Sequence, residues 1–159
     1  MTNLEEAVEI TKNVLIKPFE GYHRRLPNGG CAAYPDPGTG GKPWTIGWGS
    51  TGPDIRKDTV WTLQQAEHAL SEHVTYFLSG VLKLSPGLLD EKPQKIAAIV
   101  SFAYNCGLGN YRISTLKKRV DEKNWNEAAT EIKKWNKAAG RVLRGLTRRR
   151  EAESLLLLA

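Results

Sequence analysis

Glu20, Asp36 and Thr45 give the chain two carboxylates and a hydroxyl on or beside one unusual stretch. That stretch, Tyr34 to Gly49, holds five glycines and three prolines in sixteen residues. It can be neither a helix nor a smooth strand, and must run as a short strand-and-loop unit with tight turns. Asp36 is its only carboxylate, and Thr45 leads into Ile46, Gly47, Trp48 and Gly49. Glu20 closes an amphipathic N-terminal segment and is followed at once by Gly21. Two carboxylates and a hydroxyl on rigidly turned backbone are a kit for cutting a glycosidic bond, in which the carboxylate pair is the essential part. Taken one at a time the residues have plainer readings: a surface Glu at a helix end, a turn Asp between two prolines, a strand Thr.

The flanking elements must hold these groups. Asn3 with Glu6 reads as a capping box, and Leu4, Ala7, Val8, Val14 and Leu15 recur at helical spacing. This helix should end near Glu20-Gly21, with Pro18 disturbing its last turn. A carboxyl partly withdrawn from water beside apolar Phe19 is suited to proton donation. Residues 22–60 lack a helical period. Asn28-Gly29-Gly30 marks a turn, and segments around Cys31–Tyr34 and Trp44–Trp48 can pair in an antiparallel sheet of two or three strands.

Thr62 with Gln65 starts a long helix that ends near Leu84, although Gly80 inside it costs about 1 kcal/mol relative to Ala. Lys95 to Asn105 is apolar on nearly every face, as expected of a buried central helix. Further helices should begin at Ser114 and at Asn124, the latter running through Trp135 to a stop at Gly140. Thr147 is expected to cap a last helix with Arg148, Arg149 and Arg150 on its first turn. Cations there oppose the helix dipole, which suggests that they bind an acid; a solvated basic face is the plainer account.

A chain of 159 residues fits one domain or two small lobes. No apolar run approaches the roughly 20 residues that span a bilayer, and MTNLEEAVEI has the wrong pattern for a secretory signal. The expectation is a protein that stays in the cytoplasm where it is made and has no stable membrane anchor. Cys31 and Cys106 fit no metal or redox spacing and read as free thiols. His68 and His73, five apart, are not a ligand pair on one helical face, so no metal and no cofactor are expected. Charge is uneven. Residues 1–60 carry seven Lys/Arg and seven Asp/Glu, whereas residues 61–159 carry sixteen against ten. The net +6 therefore points to a polyanionic partner: nucleic acid, an anionic membrane face or a bacterial cell wall.

Glu20-Gly21, Tyr34-Pro35-Asp36 and Thr45-Ile46-Gly47-Trp48-Gly49 together resemble the signature of phage-type lysozymes (endolysins), glycoside hydrolase family 24. SFAYNCGLG (Ser101 to Gly109), Ser114-Thr115-Leu116, and Gly145-Leu146 followed by Arg149, Arg150 and Glu153 continue the resemblance in family order over nearly the whole chain. It implies a mostly helical α+β, lysozyme-like fold. Residues 1–60 would form a small N-terminal lobe with a short antiparallel sheet, 61–84 a connecting helix and 85–159 a helical C-terminal lobe, in one lysozyme domain.

The resemblance further implies a muramidase that cuts the N-acetylmuramic acid–β-1,4–N-acetylglucosamine bond of peptidoglycan with inversion, for phage-mediated lysis. Glu20 would be the general acid, Asp36 would direct the attacking water and Thr45 would share it. Tyr104, Asn105, Thr147, Arg149 and Arg150 match substrate-binding positions, with Arg150 also placed opposite Glu20. An Arg beside a carboxylate works against proton donation, so burial would have to outweigh that pair. The Glu20–Asp36 and Asp36–Thr45 gaps exceed the commonest family spacing, which makes Cys31 a rival for the middle position; the residues around Asp36 match better. A monomer is expected, synthesised in the host cytoplasm and acting on the periplasmic wall after release by a holin.

The nearest alternative is a lytic transglycosylase, which needs the acid but not an Asp–Thr water site. A non-enzymatic wall-binding or nucleic-acid-binding protein is the other. Cations spread over several helices, with no helix-turn-helix or RNA-stacking motif, argue against nucleic acid.

Overall fold

The structure, a computed structural model, describes residues 1–159. Its chain begins with α1 (Asn3–Ile10), a π-helical turn (Thr11–Ile16) and α2 (Lys17–Glu20). Then come β1 (Cys31–Ala32), β2 (Val60–Trp61) and the long α3 (Leu63–Leu84). A 3₁₀ turn (Pro86–Asp90) leads to α4 (Pro93–Cys106), α5 (Leu108–Ile113), α6 (Thr115–Asp121) and α7 (Trp125–Ile132). A hairpin of β3 (Lys137–Ala138) and β4 (Arg141–Val142) precedes α8 (Arg144–Leu157). The mostly helical α+β class expected from the sequence is the one observed. No helix is long and apolar enough to cross a membrane.

Two compact units are present: Ile16–His73, and Met1–Leu15 together with Val74–Ala159. The first helix thus groups with the C-terminal elements rather than with residues 16–60. Residues 63–73 of α3 belong to one unit and 74–84 to the other.

In the larger unit, α4 is the centre. Ile96 through Ala103 are all buried, and α4 packs against α1, α5 and α8, so each of its faces has a partner. Lys95 is also nearly covered, its ammonium donating to the Ala159 carbonyl at 2.7 Å and lying 5.3 Å from the Trp125 ring. Gly80 does not end α3. A Cβ there would lie 2.5 Å from Leu108 Cδ1, so the missing side chain is what lets α5 approach. The packing gain outweighs the helix propensity lost.

Three local expectations shift. The first capping box is Thr2 with Glu5, one residue earlier than Asn3–Glu6: Thr2 Oγ1 accepts from Glu5 N–H at 3.1 Å, and Thr2 N–H donates to Glu5 Oε2 at 2.8 Å. Helix α7 ends at Ile132 and does not reach Trp135. Trp135, three residues on, mimics the helical period but packs edge-on against Phe102 at 5.4 Å. The segment that follows is a hairpin whose two-residue turn places Ala139 (φ 51°) and Gly140 (φ 77°) in the left-handed region, the geometry that matches the strands' own twist. Finally, α8 starts at Arg144 with Leu143 as its N-cap, and Thr147 N–H already bonds to Leu143 C=O. Arg148 to Arg150 therefore lie beyond the first turn, where the dipole penalty has faded.

In the smaller unit the sheet is shorter than expected, and β1 pairs with β2 rather than with a strand over Trp44–Trp48. Cys31 pairs with Trp61 and Ala32 with Val60; Tyr34 and Thr45 form an isolated bridge, as do Ile46 and Ser50. Ile16, Cys31, Ala33, Ile46, Trp48, Ala66 and Leu70 form its core. Trp48 stacks at a tilt on Tyr22 with ring centroids 4.5 Å apart, and the Lys17 ammonium lies 4.5 Å from its indole. Lys17 also pairs with Glu67.

Candidate functional site

The smaller unit contains Glu20, Asp36 and Thr45. Glu20 is the last residue of α2. Gly21 follows in the left-handed region (φ 76°), and its N–H bonds back to Lys17 C=O at 3.2 Å. The helix thus stops where the carboxylate leaves it. The carboxylate rests against Gly49, where a Cβ would come within 3.2 Å of Glu20 Oε2 on backbone at φ +90°. A side chain at Gly49 would therefore be strained by its backbone and would press on the Glu20 carboxylate.

Tyr34 links the acid to the hydroxyl. Its backbone exchanges two 2.9 Å hydrogen bonds with Thr45. Its phenol has a raised pKa, first from burial and then from the negative charge of Glu20 nearby. The ring packs edge-on with His23 at 5.2 Å. Thr45 is half-buried, and its hydroxyl approaches the Pro43 carbonyl at 3.4 Å.

Asp36, two residues beyond Tyr34, is also half-buried. Its Oδ1 accepts from Gly38 N–H at 3.1 Å, while its own backbone bonds Gly40 and Gly41. The turn and the carboxylate are thus compatible roles: one oxygen fixes the loop. Cys31, by contrast, is fully buried in β1. The Tyr22 phenol beside it has its pKa raised by burial and by Cys31, and its hydroxyl donates to Gly29 C=O at 2.9 Å.

The larger unit contains Tyr104, Asn105, Thr147, Arg149 and Arg150. Tyr104 and Asn105, half-buried, end α4; the Tyr104 ring packs on Phe77 at 5.4 Å. Arg149 and Arg150 are buried, so neither is the solvated basic face that sequence allowed. Arg150 Nη1 donates to Asn105 Oδ1 at 2.9 Å and to Cys106 Sγ at 2.8 Å. Arg149 Nε lies 3.7 Å from Glu153 Oε2. The Asn136 amide donates to Thr147 Oγ1 at 3.0 Å.

Glu153, quoted in the sequence motif but given no role there, anchors this cluster. It is fully buried, accepts from Ser101 Oγ at 2.6 Å and from Arg150 Nη2 at 2.8 Å, and pairs with Arg150 Nε at 2.6 Å. Burial pushes its carboxyl up against the pull of Arg150, Ser101 and Arg149. The signal that could have found it is the i, i+3 spacing of Arg150 and Glu153 on one helix. Gly49 was in the quoted motif too, but its contact with Glu20 spans 29 positions and has no sequence signature. Burial also pushes the Cys106 thiol up, against the Arg150 guanidinium.

The mostly helical α+β architecture with two short antiparallel sheets is a lysozyme-like fold. Comparison with known proteins agrees. The phage lysozyme family model matches residues 19–153, and the chain belongs to that family. It is 40% identical to the endolysin of Bacillus phage B103 over 144 residues, covering 91% of this chain and 51% of that one. The chain thus spans about half the length of that relative.

Among solved structures it is similar to the muramidase domain of SpmX from Asticaccaulis excentricus, with a TM-score of 0.77, 28% identity and coverage of 99% and 98% of the two chains. The endolysin from Escherichia coli O157:H7 phage FAHEc1 follows at TM-score 0.76 and 27% identity, with coverage of 99% and 94%.

Proposed function

We propose that this chain is a peptidoglycan hydrolase, a muramidase that cleaves the N-acetylmuramic acid–β-1,4–N-acetylglucosamine linkage with net inversion. The observation that carries the reading is the carboxylate of Glu20, set at a helix end against Gly49 in a chain of the phage lysozyme family. Glu20 acts as general acid on the leaving oxygen. Asp36 orients or deprotonates the attacking water and offsets charge on the oxocarbenium-like transition state, and Thr45 shares that water through its hydroxyl. The buried position of Cys31 favours Asp36 for the middle role.

Tyr104, Asn105 and Thr147 contact the glycan or its peptide. Arg150, buried against Glu153, serves that face by holding Asn105 in place, and Arg149 lies beside the same carboxylate. The chain works as a monomer without a cofactor, is made in the host cytoplasm and reaches the cell wall once a holin opens the membrane.

The test is mass spectrometry of fragments released from purified peptidoglycan. Reducing N-acetylmuramic acid ends are expected, and proton NMR of the fresh product should show the α-anomer. Anhydro-muramic ends would assign a lytic transglycosylase and remove the water role from Asp36 and Thr45. A product of retained configuration would replace inversion by a covalent route. Glu20→Gln should abolish turnover with the fold intact; activity within about tenfold of wild type, a barrier change of only about 1.4 kcal/mol, would mean another acid.

A further inference from the structure

From Lys133 to Arg150 the chain carries eight Lys/Arg and no Asp or Glu. The rest holds 15 Lys/Arg against 17 Asp/Glu, so the whole excess of +6 belongs to this segment. Arg149 and Arg150 are buried beside the Glu153 carboxylate and are not part of the exposed surface. The other six, Lys133, Lys134, Lys137, Arg141, Arg144 and Arg148, are exposed. Only Lys134 among them is in an ion pair, with Glu131 at 2.9 Å. Self-repulsion in such a cluster opposes folding unless counter-charge comes from outside.

The shape of the cluster narrows what supplies that charge. Lys137 stands opposite Val142, and Ala138 opposite Arg141. Residues opposite each other share a sheet face and neighbours along a strand do not, so each side of the hairpin carries one cation and one small or aliphatic residue. A membrane-surface element segregates its apolar and cationic faces; this hairpin mixes them. Trp135, the only aromatic residue in the segment, is packed edge-on against Phe102 at 5.4 Å, which withholds it from the base stacking that single-stranded nucleic acid needs. A flexible linear polyanion with a charge on each repeat fits a hairpin that is cationic on both sides. Three of the exposed cations, Arg141, Arg144 and Arg148, present forks suited to phosphate oxygens.

We infer that the β3–β4 hairpin and the start of α8 dock the phosphodiester-linked polyol chains borne by a bacterial cell wall. The inference rests on the wall-cleaving reading above and gives it a second ligand. The hairpin is tied to the candidate substrate face of its own unit. Leu143 N–H bonds to Asn136 C=O at 3.0 Å, Asn136 to Thr147 at 3.0 Å, and Arg150 to Asn105 at 2.9 Å. A polymer held on the hairpin therefore fixes Tyr104 and Asn105 close to the wall.

The test uses the full chain carrying Glu20→Gln, so that binding is read without turnover. Co-sedimentation is measured on intact walls, on walls stripped of phosphodiester polymers with hydrofluoric acid, on soluble poly(glycerol phosphate), on phosphatidylglycerol vesicles and on duplex DNA. Stripping the wall, or adding Lys137→Glu, Arg141→Glu and Arg144→Glu, should each weaken binding by about tenfold or more and flatten its salt dependence. Should the triple reversal not fold, Lys137→Gln with Arg141→Gln should still weaken binding to intact walls and leave binding to stripped walls unchanged.

Equal binding to intact and stripped walls overturns the inference, as does tighter binding to vesicles or DNA than to the polymer. Failure of the enzymatic reading would show separately, as wild-type chain that releases no fragments from stripped peptidoglycan.

Discussion

Arg150 and Glu153 form a fully buried ion pair, with Nε 2.6 Å from Oε1 and Nη2 donating to Oε2 at 2.8 Å. One turn of α8 thus satisfies a charge that also reaches Asn105 at the end of α4.

Removing one partner should cost far more than removing both. Glu153→Ala leaves the Arg150 guanidinium buried without its carboxylate, and should lower unfolding free energy by about 3–5 kcal/mol. Glu153→Leu combined with Arg150→Met, similar in volume, should cost much less. Urea denaturation of the three proteins checks the ranking, and a double variant less stable than the single one would show that the ion pair itself contributes net stability.

Gly49→Ala should damage activity more than stability. The new methyl group meets Glu20 Oε2 at 3.2 Å on left-handed backbone, so the carboxylate must move. Gly40→Ala is the control, with φ +72° but nothing within 4 Å of its Cβ. Both should lose about 1–2 kcal/mol of stability to backbone strain, but only Gly49→Ala should lose more than about tenfold in turnover, or about 1.4 kcal/mol in the barrier. Parallel activity and melting curves separate the two.

Asp36→Asn should reduce turnover at least about a hundredfold, close to 2.7 kcal/mol, whereas Cys31→Ser should leave catalysis largely intact. Cys31 is completely buried, so its substitution by a more polar hydroxyl should appear in the melting temperature. The reverse ranking in a wall-clearing assay would move the middle role to Cys31.

Tyr34 reports on Glu20. Burial and the Glu20 charge both hold its phenol above the ordinary value of about 10. A raised phenol pKa means that the folded chain holds this proton more tightly than the unfolded one. The corresponding stability is present below about pH 10 and is lost as pH rises through the higher folded value. Glu20→Gln removes a negative charge and should bring the Tyr34 titration down in pH. Ultraviolet difference titration, with Tyr34→Phe to identify the signal, would show an unchanged curve if the two side chains did not interact.

Much of this architecture could be read from local signals. The boxes at Thr62–Gln65 and Asn124–Glu127 cap α3 and α7 as expected, and the all-round apolar character of Ile96 to Ala103 identified the central helix. What escaped depended on partners distant in sequence. Gly80 looked like a helix breaker because Leu108, 28 residues away, gives no local sign that it fills the space. Trp135 looked helical because its spacing from Ile132 is helical, although its ring belongs to Phe102. The order of Glu20, Asp36 and Thr45 was visible, but the pairing of Tyr34 with Thr45 was not, since it is made by backbone groups alone. The count of basic residues gave the sign of a partner, while the hairpin that concentrates them became visible only with the strand register.

The larger unit draws on both ends of the chain, Met1–Leu15 and Val74–Ala159, with α1 packed on α4. On the ribosome the whole of residues 16–73 is made between α1 and α4, the helix that covers it. Residues 16–73 can emerge and collapse while Ala7 and Leu15 still face water or a chaperone. Helix α1 therefore waits for α4 before it is packed, and a nascent chain arrested before residue 106 should expose α1 to protease while its smaller unit is already protected.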